Sequence, residues 1–386
     1  MTLRELIANR IRTEGPLTTA EFMGLALYHP SLGYYSRAPR RTGRAGDFYT
    51  SVDVGPQFGA LLAKQLDEMY RRLGPPAPDR FDLVEAGGAN GQLARDILDT
   101  AESHFPALYR AIRVTLVEAS AAARETQVET LGRHAARLVG SSDQMPEEVH
   151  GVILANELLD ALPTHAVAMT ADGLREIVVD LENNQFVERT ALPSTPDLAR
   201  YLDRLDVQLS PGGRGEVNLA AVTWVQKAAK SLARGFLLLV DYGHPAEALY
   251  SHGHATGTLT TFRRHQVGTS DTDVEQGGGP PWLAHPGMQD ITAHVDWTSV
   301  AAAGTAEGLD MLGLTDQTHF LLGLGALDDA PTGADTPSIK HRLALKTLVV
   351  PGGLGSTHHV LLLGKQVRHA PEEIRRHRPG RLAGTD

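Results

Sequence analysis

The residues with most to offer chemically stand in the run Leu83-Val-Glu85-Ala-Gly87-Gly-Ala89-Asn-Gly91. An acidic residue closing an apolar run, followed at once by glycines, reads as a strand-to-helix turn whose backbone can approach a ligand and adopt positive φ. The dinucleotide fingerprint G-x-G-x-x-G fails here, because from Gly87 it needs glycines where Ala89 and Gln92 stand. The pattern suits instead a carboxylate-bearing or nucleoside ligand that has no pyrophosphate, and S-adenosylmethionine is such a ligand. Glu118 ends the next apolar run, which starts at Arg113. There it is placed to accept hydrogen bonds from both hydroxyls of a ribose. Taken alone, Gly87, Gly88 and Gly91 could equally make a plain tight turn beside a solvated Glu118.

The elements that must position these groups alternate along the chain. Phe81 to Glu85, Arg113 to Glu118, Val149 to Ala155 and Gly235 to Asp241 are apolar runs of strand length, with helical spacing between the first three. Strand and helix alternating in this way predict a parallel sheet covered on both faces. Ahead of it, Thr2 with Glu5 and Thr18 with Glu21 fit capping boxes and open two short helices, the first stopped at Gly15. From Pro56, an apolar face through Phe58, Leu62, Leu66 and Met69 predicts a longer helix, ended by Gly74-Pro75-Pro76. Leu174 to Val187 reads as a hairpin turning at Asn183-Asn184, followed by helices through Ala233. The stretch from Tyr242 to Ala330 reads as irregular, and Ala344 to Val350 with Val360 to Gly364 as the last sheet material. Arg263 to Gly287, rich in glycine and proline, has the length of a lid.

Composition narrows the chemistry. With 36 Lys+Arg against 46 Asp+Glu in 386 residues, the net charge is −10, which disfavours general nucleic-acid binding. The absence of cysteine removes disulfides, thiolate metal sites and cysteine nucleophiles. The opening residues carry acidic side chains in an amphipathic pattern, unlike a secretory signal, and no apolar run approaches the ~20 residues that span a bilayer. The expectation is a cytoplasmic protein with no membrane insertion. A homodimer is compatible with everything in the sequence.

Several segments together resemble the MidA-type methyltransferase family, which includes the mitochondrial complex I assembly factor that methylates an arginine of a complex I subunit. They are Pro30 to Tyr35, Gly46 to Thr50, Phe58-Gly59, the glycine run, Leu116 to Ser120 with Arg124 and Gln127, and Asn156-Glu157-Leu-Leu-Asp160-Ala-Leu-Pro163. Further on come Val240-Asp241-Tyr242-Gly243, Gly257 to Leu259, Pro286-Gly287, Asp290 to Trp297, and Gln317 to Gly323. The resemblance covers nearly the whole chain. It implies an α/β fold: a class I, Rossmann-like methyltransferase core with an N-terminal helical cap and an inserted substrate subdomain. The divisions expected are N-terminal helices and a cofactor-covering loop at 1–54, core at 55–163, an inserted hairpin and helices at 164–234, a core strand at 235–243, a substrate or lid insertion at 244–340, final core strands at 341–368, and a tail at 369–386. It implies methyl transfer from S-adenosylmethionine to an N or O acceptor, by resemblance a protein arginine. Alternatives are a small-molecule O- or N-methyltransferase, or a non-catalytic assembly module that keeps the cofactor fold. Three departures bear on this. Ala86-Gly-Gly-Ala89 stands where the family usually has Leu-Gly-Pro-Gly, Thr260 replaces an expected arginine, and the loop before Pro286 is expanded.

The cofactor residues expected on this basis are Asp47, Thr50, Ser51, Glu85, Gly87, Gly91, Glu118, Asp143 and Asn156. Those at 47–51 lie in a loop that can fold over the amino and carboxylate groups of the cofactor. For the acceptor, Glu157 and Asp160 are three apart on an expected helical turn and could hold a guanidinium together and localise its charge. In Ile291 to Trp297 alternation puts His294 and Asp296 on a polar face, where His294 could take a proton or be satisfied structurally. His252 with His254, and His358 with His359, form no metal-ligand motif and read as solvated loop, so no metal is expected.

Overall fold

Seven strands form the main sheet: β1 (Phe81–Ala86), β2 (Ile112–Val117), β3 (Leu138–Ser142), β4 (Val149–Asn156), β5 (Leu232–His244), β6 (Asp310–Asp316) and β7 (His358–Lys365). In the sheet they lie in the order 6-7-5-4-1-2-3. Neighbours from β3 to β5 are parallel, and β7 runs antiparallel between β5 and β6. The order reverses between β1 and β4, so the two chain crossovers diverge there and open a crevice at the carboxyl ends of the strands. This is the class I methyltransferase arrangement. The computed structural model from which it is read describes residues 1–36, 50–74, 79–263, 266–267, 279–328, 330–350 and 354–367.

Contacts divide the chain into two units. One holds Tyr49–Leu158, Val225–Tyr242 and Ala301–Asp386, the other Met1–Phe48, Leu159–Trp224 and Gly243–Val300. In the sheet-bearing unit every residue of β1 is buried, since helices cover both faces and no polar alternation is possible. Leu83, Leu116, Leu154, Leu238 and Leu362 from five neighbouring strands join one apolar cluster with Phe58, Leu62 and Leu66 of the helix Gln57–Arg72.

The second unit contains the two N-terminal helices, Leu3–Glu14 and Thr19–Tyr28. Both expected capping boxes form, and Gly15 ends the first helix at φ 95°. The expected hairpin also forms: Gly173–Glu182 pairs antiparallel with Gln185–Ala191, and Asn183 and Asn184 take φ of 49° and 65°, the left-handed pair that a tight two-residue turn requires. Phe22 packs edge-on against Phe186 and Trp282 in the apolar cluster of this unit. The described end of the expected lid segment is thereby fixed in a core. Residues 264–265 and 268–278 of that segment lie outside the described residues, as do the residues beyond 367.

Three expectations are corrected. Ala344 to Val350 is no strand; residues up to Val349 complete the helix Thr336–Val349, capped by the Asp335 side chain. Its buried positions Ala344, Leu345, Leu348 and Val349 step by one, three and one, which is a helical stripe in an apolar run short enough to pass for a strand. The described residues between Tyr242 and Ala330 form regular elements where irregularity was expected, with the helix Trp297–Ala306, β6 and the helix Gln317–Gly323. Finally, no helical turn follows β4: Glu157 has φ 51°, and the chain proceeds through bends and turns to Pro163. Among the described residues no helix is long and apolar enough to cross a membrane.

Candidate functional site

The carboxyl edge of the sheet gathers most of the expected cofactor residues. Glu85 lies near the end of β1, Gly87 and Gly91 in the turn that follows, Glu118 just after β2, Asp143 just after β3, and Asn156 at the end of β4. Strand order makes these ends neighbours, and Ala86 pairs with Val117 on one side and Ala155 on the other.

The glycine turn is built by its surroundings as much as by its glycines. Gly87 takes φ 71° and Gly91 φ 86°, and Gly91 begins the helix Gln92–His104. A Cβ on either would also crowd Leu158 or Leu116, at 3.2 and 3.1 Å. Ala89 holds φ 40° without being glycine. Its N–H donates to Glu118 Oε2 at 2.9 Å, and its carbonyl accepts from Gln127 Nε2 at 2.7 Å. Gln127 is itself fully buried and its Oε1 accepts from the Ser141 hydroxyl at 2.7 Å. Glu118 Oε1 accepts from the Ser120 N–H at 2.7 Å. Glu118 therefore shapes the turn, while each of its oxygens keeps a further lone pair.

Among the described residues, two buried acceptors at this edge meet no donor, Oε2 of Glu85 and Oδ1 of Asn156. A buried unsatisfied acceptor costs about 1–3 kcal/mol, so a site that leaves two of them beside a ligand turn fits a ligand carrying N–H donors. Burial, with Glu118 and Asp96 nearby, pushes Glu85 up to about 8 against the pull of a hydrogen bond from the Ala94 backbone. The amino group of S-adenosylmethionine, cationic and rich in N–H, matches both needs. Asp143 is exposed, with Oδ1 accepting from Gln144 at 3.3 Å.

Glu157 is pinned at the same edge. Its N–H donates to the Val240 carbonyl at 2.8 Å, and its Oε1 accepts from the Ser51 N–H at 3.0 Å and from Asn156 Nδ2 at 3.3 Å. His358 Nε2 stands 3.8 Å from the same oxygen. Ser51 is fully buried and gives its hydroxyl to Gln317 Oε1 at 3.1 Å, and Thr50 gives its hydroxyl to Asp53 at 2.8 Å. These two were expected as cofactor contacts. Their hydroxyls are instead committed to neighbouring side chains, and Ser51 positions Glu157. Asp47 lies outside the described residues. His358, expected in a solvated loop, is buried at the start of β7, where burial lowers it to about 4.

The other unit holds the remaining candidates. Asp160 is buried, and its carbonyl accepts from the Ala293 N–H at 3.0 Å. The Tyr35 hydroxyl donates to both oxygens of Asp290, at 2.9 and 3.1 Å, and burial, then Asp290 and other neighbours including Asp160, raise the phenol well above its ordinary value. Asp296 does not line an open face. It accepts from Tyr201 Oη at 2.8 Å, from Ser299 Oγ at 2.6 Å and from the backbone N–H of Thr298 and Ser299, so it caps the helix that begins at Trp297. His294 is half-buried beside His244 and His254, and burial with these two neighbours lowers it to about 4. Sequence reasoning missed His244 and the clamping role of Gln127. A glutamine among the matched residues of an otherwise surface helix was the available signal for the second.

The family model described as "Putative S-adenosyl-L-methionine-dependent methyltransferase" matches residues 61–315. The chain is 29% identical to the mitochondrial protein arginine methyltransferase NDUFAF7 of Danio rerio, over 95% of this chain and 88% of that protein. Its likeness to the Mus musculus protein of the same name is also 29%, over 92% and 82%. A crystal structure of a COG1565 superfamily member from Burkholderia thailandensis, bound to S-adenosyl-homocysteine, matches with a TM-score of 0.84 and 29% identity, over 97% of this chain and 94% of that one.

Proposed function

Because the chain belongs to this family of S-adenosylmethionine-dependent methyltransferases, we propose that the group it methylates is the side chain of a protein arginine. Relatives named for that activity align over most of their own length and most of this chain. When bound, S-adenosylmethionine supplies a methyl group made electrophilic by the sulfonium that carries it. Glu85 and Asn156 would hold its amino group, and Glu118 would accept from its ribose hydroxyls while keeping the turn in shape.

The observation that carries the arginine reading is the placement of Glu157. A carboxylate at the ligand edge of the sheet, on a residue with φ 51° and bonded through Ser51 and Val240, is held against both rotation and backbone relaxation. Non-glycine residues keep such a conformation, at a cost of about 1–3 kcal/mol, where surroundings over-determine it. A fixed carboxylate can orient a guanidinium and draw its positive charge toward one side, which leaves the opposite nitrogen a better nucleophile. Asp160 is proposed as a second acceptor carboxylate, and His294 as an acceptor contact.

The test is transfer of labelled methyl from S-adenosylmethionine to peptides containing arginine, with lysine-substituted peptides and small hydroxyl or amine compounds alongside. Mass spectrometry should place the methyl on arginine. Equal labelling of the lysine peptides, or labelling of small molecules alone, would overturn the arginine assignment and leave the methyltransferase standing.

A further inference from the structure

We propose that His244, His254 and His294 form a binding site for one zinc-class divalent metal ion, with the three imidazoles as its ligands. One nitrogen from each ring lies within 4.8 Å of the other two. The ring centroids are 4.8, 5.3 and 6.0 Å apart. Three points no more than 4.8 Å apart lie within about 2.8 Å of a common centre, against zinc–imidazole bonds of about 2.0–2.1 Å, so ring movements of about 0.7 Å complete the shell.

The three come from three places in one unit. His244 is the last residue of β5, His254 ends the short turn His252–His254, and His294 lies between the strands Asp290–Thr292 and Val295–Asp296. Each is pinned from behind. The β5 end pairs with Val295 and Asp296, which fixes His244 against the segment bearing His294. The backbone N–H of His294 donates to Thr258 Oγ1 at 3.0 Å, and Thr258 in turn gives both its N–H and its hydroxyl to Glu216 Oε2 at 2.9 Å. His254 places Nδ1 2.9 Å from the Ala248 carbonyl. A carbonyl only accepts, so Nδ1 carries the proton and the other nitrogen presents its lone pair. Backbone carbonyls commonly fix the tautomer of metal-bound histidine in this way.

Three imidazoles without thiolate or carboxylate suit zinc and its neighbours over magnesium or calcium, which prefer oxygen. All three rings are half-buried, neither sealed from solvent nor loose in it.

The experiment is titration calorimetry of the chelator-treated full chain with zinc chloride at neutral pH, and visible spectroscopy with cobalt(II). One saturable zinc per chain and the absorption bands of tetrahedral cobalt are expected. His254→Gln should weaken zinc at least tenfold with the fold unchanged by circular dichroism, while His252→Gln, two residues away and exposed, should bind like wild type. Should His254→Gln fail to fold, X-ray absorption on zinc-loaded wild type decides, with three imidazole nitrogens at about 2.0–2.1 Å expected. No saturable binding, equal loss in both variants, equal retention in both, or a zinc shell with fewer than three imidazoles would overturn the proposal.

Discussion

Replacing Glu85 by glutamine should make the protein without ligand more tolerant of rising pH and less able to hold the cofactor. The carboxyl is raised to about 8 in the fold, chiefly by burial, from its ordinary value of 4.5. Between these values the folded chain binds a proton that the unfolded chain has released, so stability falls as pH rises. Between pH 6.5 and 8 Asp96, raised to about 6, adds only a small further loss, and the gain from His294 and His358, lowered to about 4 from 6.5, is common to both proteins and cancels in their comparison. Integrating the Glu85 linkage over that window makes wild type lose roughly 2 kcal/mol more than Glu85→Gln. Trp224, Trp282 and Trp297 all lie in the other unit, so fluorescence would miss the event. Hydrogen exchange of peptides covering Phe81–Ala86 reports it directly. A cationic amino group arriving at Glu85 should ionise it, releasing about 0.9 proton at pH 7, measurable by calorimetry in buffers of different ionisation enthalpy. Equal pH slopes in the two proteins would refute the burial argument, and cofactor binding without proton release would refute the amino-group contact.

Glu118→Ala should weaken S-adenosylmethionine by roughly 1–3 kcal/mol in calorimetry, because the ribose acceptor and the partner of the Ala89 N–H leave together. Unchanged affinity in a folded variant would dismiss the ribose contact. Glu157→Gln should lower turnover on an arginine peptide by roughly 100-fold with cofactor affinity nearly intact. Equal loss of binding and turnover would move Glu157 into the cofactor site. Asp296→Ala should cost about 2–4 kcal/mol, since it strips the Tyr201 and Ser299 hydroxyls of a buried acceptor and uncaps a helix, and Trp297 fluorescence in urea would measure it.

What could be read in the sequence was whatever local periodicity and short motifs encode. The capping boxes at Thr2 and Thr18, the Asn183-Asn184 turn and the strands around the glycine run all state themselves within a few residues. β3 and β6 do not: Leu138-Val-Gly-Ser-Ser142 and Asp310 to Asp316 carry too few apolar side chains, and only pairing with β2 and β7 makes them strands. The carboxyl edge of the sheet was legible because strand ends and glycines mark it. The roles of Ser51, Gln317 and Asp296 were not, since a hydroxyl, an amide or a carboxylate looks the same in sequence whether it meets a ligand or a neighbour far along the chain. The three histidines are 10 and 40 residues apart, a spacing that matches no motif and that only the fold converges.

Ala89 holds a conformation that favours glycine while carrying a Cβ. Bonds to its N–H and its carbonyl, from Glu118 and Gln127, supply from outside what the missing Cβ supplies in a glycine. Residues 89 and 127 are therefore coupled: replacing Gln127 should cost more with alanine at position 89 than in an Ala89→Gly background. With Ala89→Gly in place the turn should depend less on the buried glutamine, and so less on the Ser141 hydroxyl that holds the glutamine in place.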